Sequence, residues 1–288
     1  IPATNSIHNG QLTGSHRNRR LVRFTVDPVL QSYTDELVKR ASSPHVAIVA
    51  MEPYTGRVLA ASERSPLKNK LYLHNGFPAA SLFKIITSAA ALETKKLKPD
   101  VTIKFRGGNY TLNKWNYKAS KKYDRRSMSF EEALGRSVNP VFARIALQHL
   151  DRETIRRYTD AFGFNSTLDF DLNLPVSSAN IPGDAYGLAR TAAGFGKVTI
   201  TPIHAVTLMS AIANGGFLPR PSVLERIASP DGLSLHEFES VVLGRVLRAS
   251  TAETLMDMME STVTVGTSKK YFFKGKRPLL PGVRVAAK

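Results

Sequence analysis

Apolar positions along this chain fall into helical and strand-like patterns. Val29, Leu30, Tyr33, Leu37 and Val38 recur at helical spacing. They follow Asp27, placed as an N-cap, and Pro28, suited to a first helical position. Two short apolar runs come next, H-V-A-I-V-A-M (45–51) and R-V-L-A-A-S (57–62), separated by the turn-forming E-P-Y-T-G. They predict a β-hairpin buried on at least one face. The Ala- and Leu-rich stretch from Ala79 to Lys95 has strong helix propensity. After a polar loop at 106–126, which holds Trp115, Ser129 and Glu132 form a capping box. Asn139 and Pro140 open another helix, with Phe142, Ile145 and Leu150 expected in the core. A further helix runs from Asp151 to Phe162 and is ended by Gly163. Thr201 and Pro202 start a helix that stops at Asn214, Gly215 and Gly216. Ser250 and Glu253 mark a second capping box for a Met-rich helix reaching Val263, and G-V-R-V-A-A-K (282–288) reads as a closing strand.

Strands thus gather toward the chain ends and helices toward the middle. The expected class is α/β (α+β): a central antiparallel sheet from the chain ends, flanked by helices, plus a mostly helical subdomain. Residues 1–20 lack periodicity and are expected to form a flexible arm. Residues 21–288 form one domain, with its sheet part at 21–75 and 220–288 and its helical part at 76–219. With 288 residues and 42% hydrophobic content, the chain can bury a substantial core. No window approaches the roughly 18 continuous apolar residues of a membrane span. The polar start, I-P-A-T-N-S-I-H-N-G, is not a signal peptide, so the sequence is expected to be a piece of a longer chain.

Composition narrows the chemistry. The absence of cysteine excludes disulfides, thiol catalysis and cysteine-ligated zinc. The net charge of +17 attracts anionic surfaces such as lipid headgroups or wall polymer. Its clusters, at 17–23, 95–98, 118–126 and 269–277, read as solvated faces and loops. The loop K-W-N-Y-K-A-S-K-K-Y-D-R-R interleaves aromatics with cations, which suits stacking on nucleic-acid bases. That interleaving is also common in ordinary surface loops, and no nucleic-acid partner is expected.

One apolar stretch carries an anomaly. F-P-A-A-S-L-F-K-I-I-T-S-A-A-A-L-E places Ser81 and Lys84 three residues apart, hence neighbours on a helix. Ser81 falls in the first turn, where free N–H groups favour a developing anion. A serine hydroxyl is a weak nucleophile without an adjacent base. Lys84 can be that base only if it is partly neutral, which requires its pKa to fall by about 3 units. Leu82, Phe83, Ile85 and Ile86 supply the burial that would lower it. The spacing alone is weak evidence: 24 serines and 18 lysines give about 1.5 such pairs by chance. The other one, Ser65 and Lys68, lies in polar surroundings where a lysine stays charged. Ser-x-Asn also occurs twice, as Ser137/Asn139 at a helix start and as Ser178/Asn180 in a loop.

S-L-F-K (81–84), S-V-N (137–139) and a lysine ending V-A-A-K (285–288) stand in the order of the Ser-x-x-Lys, Ser-x-Asn and Lys-Thr-Gly motifs. With the flanks V-A-I-V-A-M-E-P-Y-T-G-R-V-L-A-A and S-V-N-P-V-F-A-R-I-A, the chain resembles penicillin-binding transpeptidases of the serine acyltransferase and β-lactamase superfamily from about residue 21 onward. The resemblance implies a D,D-transpeptidase that cross-links peptidoglycan stem peptides through an acyl-enzyme on Ser81 and is acylated by β-lactams. It implies that Lys84 accepts the serine proton and that Ser137 relays a proton to the leaving amine. Asn139 would bind the substrate amide and orient Lys84; Lys288 would attract the substrate carboxylate and repel charge on Lys84. Ser81, Ser137, Asn139 and Lys288 would thus contact the substrate or β-lactam, with no metal or organic cofactor. The implied setting is periplasmic or extracytoplasmic, membrane-anchored in the full-length protein, with an anionic wall or membrane surface as a further partner. The Thr-Gly of the third motif is absent after Lys288, so the chain is expected to continue beyond it and to need that continuation for activity. Alternatives are a D,D-carboxypeptidase or β-lactamase using the same residues, and, from another class, an inactive basic module that binds wall polymer or nucleic acid.

Overall fold

The computed structural model describes residues 4–8, 11–15, 20–66 and 73–288. Its helices are α1 (Pro28–Arg40), α2 (Phe83–Glu93), α3 (Phe130–Gly135), α4 (Asn139–His149), α5 (Arg152–Ala161), α6 (Ala185–Ala192), α7 (Pro202–Ala213), α8 (Ala249–Thr264) and α9 (Lys269–Phe272). The chain divides into two units, one from residues 1–77, 166–177 and 200–245, the other from 78–165, 178–199 and 246–288.

The first unit carries a five-stranded antiparallel sheet, in the order Thr4–His8, Gln11–Ser15, Leu21–Phe24, Leu224–Ala228 and Ser234–Glu237. Two of these strands lie in the stretch expected to be a flexible arm, whose remaining positions before Arg20 fall outside the described residues. Their ladder is a backbone property, and the alternation that makes a strand legible is imposed only where one face is buried. The expected hairpin forms between Val46–Met51 and Val58–Arg64. In its second strand Val58, Ala60 and Ser62 are buried, alternating with less covered neighbours. Thr25 Oγ1 donates to Val58 O (2.7 Å) and Ser222 O (3.1 Å), tying the hairpin to the chain that enters the sheet.

Helix α1 starts at the expected cap, with Asp27 Oδ1 accepting from the Val29 and Leu30 N–H groups. The face it buries differs from the expected one. Val29 and Tyr33 are 80% and 62% exposed, whereas Thr34 and Val38 are buried. A polar seam decides the rotation: Thr34 Oγ1 and Ser62 Oγ are 2.7 Å apart, Ser62 Oγ donates to Asp35 Oδ1 (2.6 Å), and Gln31 Oε1 accepts from Ala61 N–H (2.9 Å). Buried and half-buried polar groups that can bond one another displace apolar ones from the contact.

The second unit is built around α2, in which every residue from Phe83 to Leu92 is buried. Helices α4, α5, α6 and α8 pack against it. Residues 246–288 belong to this helical unit, not to the sheet part in which they were expected. Helix α8 begins at Ala249, so Ser250 and Glu253 lie inside it and form no capping box. Glu93 at the end of α2 supplies the acceptor instead, taking the Arg248 N–H at 2.6 Å. The terminal stretch 282–288 is not a strand. It runs along α8, where Arg284 pairs with Asp257 (2.6 Å) and Glu260 and Ala287 N–H donates to Met259 O (3.2 Å), so no neighbouring strand offers it a ladder. Among the described residues no helix is long and apolar enough to cross a membrane.

Candidate active site

Ser81 sits in a single 3-10 turn, Ala80–Leu82, that leads directly into α2. The turn is entered through Ala80 at φ +47°, a left-handed conformation that costs an L-residue about 1–2 kcal/mol. Gly194 lies against it. A Cβ at that position would stand 2.1 Å from Ala80 O, and its φ of +93° suits only glycine.

Lys84 is in the first turn of α2 and is wholly buried. Its Nζ donates to Ser81 Oγ at 3.0 Å and to Ala193 O, just past α6, at 2.6 Å. It also lies 5.6 Å from the centroid of the Phe142 ring. Burial, and secondarily the positive charge of Lys288, lower its pKa from 10.5 to about 7. Near neutral pH the amine is therefore often unprotonated and has a lone pair to offer.

Ser137 reaches the same place by a backbone route. Helix α3 opens with Ser129 Oγ accepting the Glu132 N–H (3.1 Å), the serine half of the expected capping box, while the Glu132 carboxylate takes Arg136 Nε (2.6 Å) instead of closing the box. It closes in a Schellman motif: Val138 N–H bonds Ala133 O (2.9 Å) and Ser137 N–H bonds Leu134 O (3.2 Å). The motif requires a left-handed residue at the position Ser137 occupies, and its φ is +56°. The reversal sets Ser137 Oγ 2.9 Å from Ser81 Oγ. Helix α4 then starts at Asn139, with Pro140 as its second residue. The Lys84 amine, the Ser81 hydroxyl and the Ser137 hydroxyl thus form one hydrogen-bonded chain.

Asn139 and Lys288 take hydrogen-bond partners outside this hydrogen-bonded chain, while the charge of Lys288 acts on Lys84 as expected. Asn139 Nδ2 donates to Tyr110 O (2.6 Å) and its N–H to Asn109 O (2.7 Å), so the side chain is held by the 106–126 loop. Among the described residues no hydrogen bond joins it to Lys84, whose partners are Ser81 and Ala193. Lys288 Nζ donates to Leu134 O in the last turn of α3, where a cation meets carbonyl groups. Burial lowers its own pKa to about 7. The comparison pair behaves otherwise: Ser65 Oγ lies 2.9 Å from His45 Nδ1, and Lys68 falls outside the described residues. Ala193, Gly194, Tyr110 and Asn109 were not singled out from sequence. Three of them act through backbone groups, which no residue type advertises; the left-handed Gly194 had a signal in G-F-G-K.

A mixed α/β chain that sets a serine beside a buried, readily deprotonated lysine has the make-up of the serine acyltransferases. The chain belongs to the penicillin-binding protein transpeptidase domain family, whose model matches residues 46–288. It is 28% identical over 276 residues to the peptidoglycan D,D-transpeptidase PbpA of Mycobacterium tuberculosis, covering 84% of this chain and 54% of that one. To stage V sporulation protein D of Bacillus subtilis it is 26% identical over 277 residues, covering 89% and 43%. The chain thus spans about half the length of these curated relatives. Among solved structures, penicillin-binding protein A of M. tuberculosis, as an imipenem acyl-enzyme complex, aligns with a TM-score of 0.75 at 25% identity, over 93% of this chain and 67% of that one. The D,D-transpeptidase domain of a peptidoglycan glycosyltransferase from Eggerthella lenta aligns at 0.78 and 22% identity, over 92% and 70%, a likeness of fold.

Proposed function

We propose that this chain carries the D,D-transpeptidase centre of a peptidoglycan-synthesising enzyme, with Ser81 as nucleophile. The carrying observation is Lys84: wholly buried, 3.0 Å from Ser81 Oγ, with its pKa brought to about 7. In the proposed reaction neutral Lys84 takes the Ser81 proton as Oγ attacks the carbonyl carbon of the penultimate D-Ala. Collapse of the tetrahedral adduct breaks the peptide bond. The departing D-Ala amine gains a proton through Ser137, and an ester remains on Ser81. The amine of a neighbouring stem peptide attacks that ester, closing the cross-link and freeing the hydroxyl. A β-lactam enters the first half of this cycle as a mimic of the donor. Asn139 binds the substrate amide, and Lys288, released from Leu134, meets the substrate carboxylate.

The relatives named as peptidoglycan D,D-transpeptidases support this activity, as does the imipenem acyl-enzyme among the solved structures. With peptidoglycan as substrate, the proposed site of action is outside the cytoplasmic membrane, and the proposed anchor lies elsewhere in the full-length protein. Fluorescent penicillin labelling of the full-length protein tests the proposal. A covalent band that Ser81→Ala abolishes and Ser65→Ala leaves intact supports it; no band, or one insensitive to Ser81→Ala, refutes it. Incubation with donor and acceptor stem peptides separates cross-linking from hydrolysis with water as acceptor.

A further inference from the structure

A buried ion network holds the second motif from behind. Arg144 lies on α4, five residues beyond Asn139, and is 0% exposed. Its Nη1 donates to Asn116 O (3.0 Å), and its Nη2 faces Asp124 Oδ1 and Oδ2 at 3.3 and 3.4 Å. Arg106 Nη1 donates to Asp124 Oδ1 (2.9 Å), and Asp124 Oδ2 accepts the Ser120 N–H (2.9 Å). The buried Asn116 closes the same loop internally, accepting the Asn113 N–H (2.8 Å) and donating to Thr111 O (3.2 Å).

Every one of these partners of Arg144 lies in the 106–126 loop, and that loop supplies the two carbonyls that hold Asn139. The loop carries seven cations, Arg106, Lys114, Lys118, Lys121, Lys122, Arg125 and Arg126, and one acid, Asp124. Left to itself such a segment repels itself and extends. Asp124 gathers it against α4 from within. Burying an ion pair is a poor route to stability, since apolar replacements of similar volume often do as well or better. What a guanidinium fork and a carboxylate add is fixed geometry, and the loop they bind is the one that carries Asn109 O and Tyr110 O.

We propose that Arg144 and Asp124 are positioning residues that lock the 106–126 loop so that its carbonyls fix Asn139, and with it the Ser137 hydroxyl, for acyl transfer. The catalytic part of this inference rests on the transpeptidase proposal; the positional part does not. Loosening the pair lets Asn139 and Ser137 drift while Lys84, bonded to Ser81 and Ala193, stays in place.

Two measurements on the full-length protein decide it. Hydrogen exchange reads the Asn139 amide, bonded to Asn109 O. In the unaltered protein it exchanges slowly; in Asp124→Asn and in Arg144→Lys it speeds up by about tenfold or more, while the α2 amides keep their rates. A fast-exchanging Asn139 amide in the unaltered protein, or one indifferent to both substitutions, overturns the proposal even if every variant is inactive. Acylation by fluorescent penicillin, counted per titratable Ser81, falls by about tenfold or more in Asp124→Asn with its pH profile unmoved. In an Asn139→Ala background the same substitution costs less than in the unaltered protein, because its route through the Asn139 side chain to Tyr110 O has been removed while the backbone bond to Asn109 O remains. Full additivity, or acylation reduced only by the loss of folded protein, also overturns it. Should the unaltered protein fail to acylate, the transpeptidase proposal falls, and the exchange experiment still decides the positional one.

Discussion

Lys84→Met sets activity against stability, and its effect can be worked from the structure. Methionine keeps much of the lysine's length but carries no charge. Holding the amine in its buried site moves its pKa from 10.5 to about 7, which corresponds to about 4–5 kcal/mol against the protonated form. The unfolded chain binds the proton up to pH 10.5, the folded chain only to about 7. Between those values the unfolded state holds more protons, so stability rises with pH across that window. Below pH 7 both states are protonated and the cost is full and constant. At pH 7 the penalty is about 4 kcal/mol; at pH 9.5 about 1.5 kcal/mol remains. Methionine removes the penalty but leaves Ala193 O without its partner, a loss of about 1–2 kcal/mol. Lys84→Met is therefore expected to be more stable than the parent by about 2–3 kcal/mol at pH 7, an advantage that vanishes near pH 9.5. The repulsion between Lys84 and Lys288 is part of that penalty and disappears with it in the variant. Urea unfolding at the two pH values measures the difference, and penicillin labelling measures the expected loss of acylation. A variant less stable than the parent at pH 7, or a difference that does not shrink by about 3 kcal/mol at pH 9.5, would refute the reasoning.

Other outcomes follow from the same geometry. The acylation rate constant of the unaltered protein should rise about tenfold per pH unit below 7 and level off above it, because only neutral Lys84 can accept the Ser81 proton; a flat profile between pH 5.5 and 7 would contradict this. Removing the like charge with Lys288→Ala should shift the rising limb to higher pH, since that charge helps to lower Lys84. Gly194→Ala should cut acylation by about 100-fold while the protein stays folded: its Cβ would overlap Ala80 O and push the nucleophile turn aside. Ser137→Ala should slow acylation by roughly 10²–10⁴ without moving the pH limb, because Lys84 keeps both of its partners.

What could be read from the sequence depended on how far each feature's cause extends along the chain. Ser81 and Lys84 were legible because helical spacing makes them neighbours and the flanking residues say that the lysine is buried. The Ser129 cap and the Asp27 cap were legible for the same reason, each being settled within four residues. The α/β class followed from where the patterns change period. The Ala193 carbonyl that holds the amine of Lys84 lies 109 positions away, and a backbone oxygen has no residue type to mark it. Helix α1 shows the same limit: its apolar count chose one face, but Ser62 across the seam chose the other. Ser250 failed as a cap because Glu93, from another helix, had already taken the position. V-R-V-A-A-K has the composition of a strand, yet composition cannot supply the adjacent ladder, and two acids on α8 captured Arg284 instead. The strain was hidden most deeply. Ala80 and Ser137, both left-handed, are ordinary residues in conformations glycine prefers, and each is forced by its surroundings, one by the turn into α2 and one by the Schellman motif. Of the four described non-glycine residues at positive φ, Ala80 and Ser137 stand where a hydroxyl is aimed, as expected where a fold gives up stability for chemistry, whereas Lys95 and Asn165 stand elsewhere.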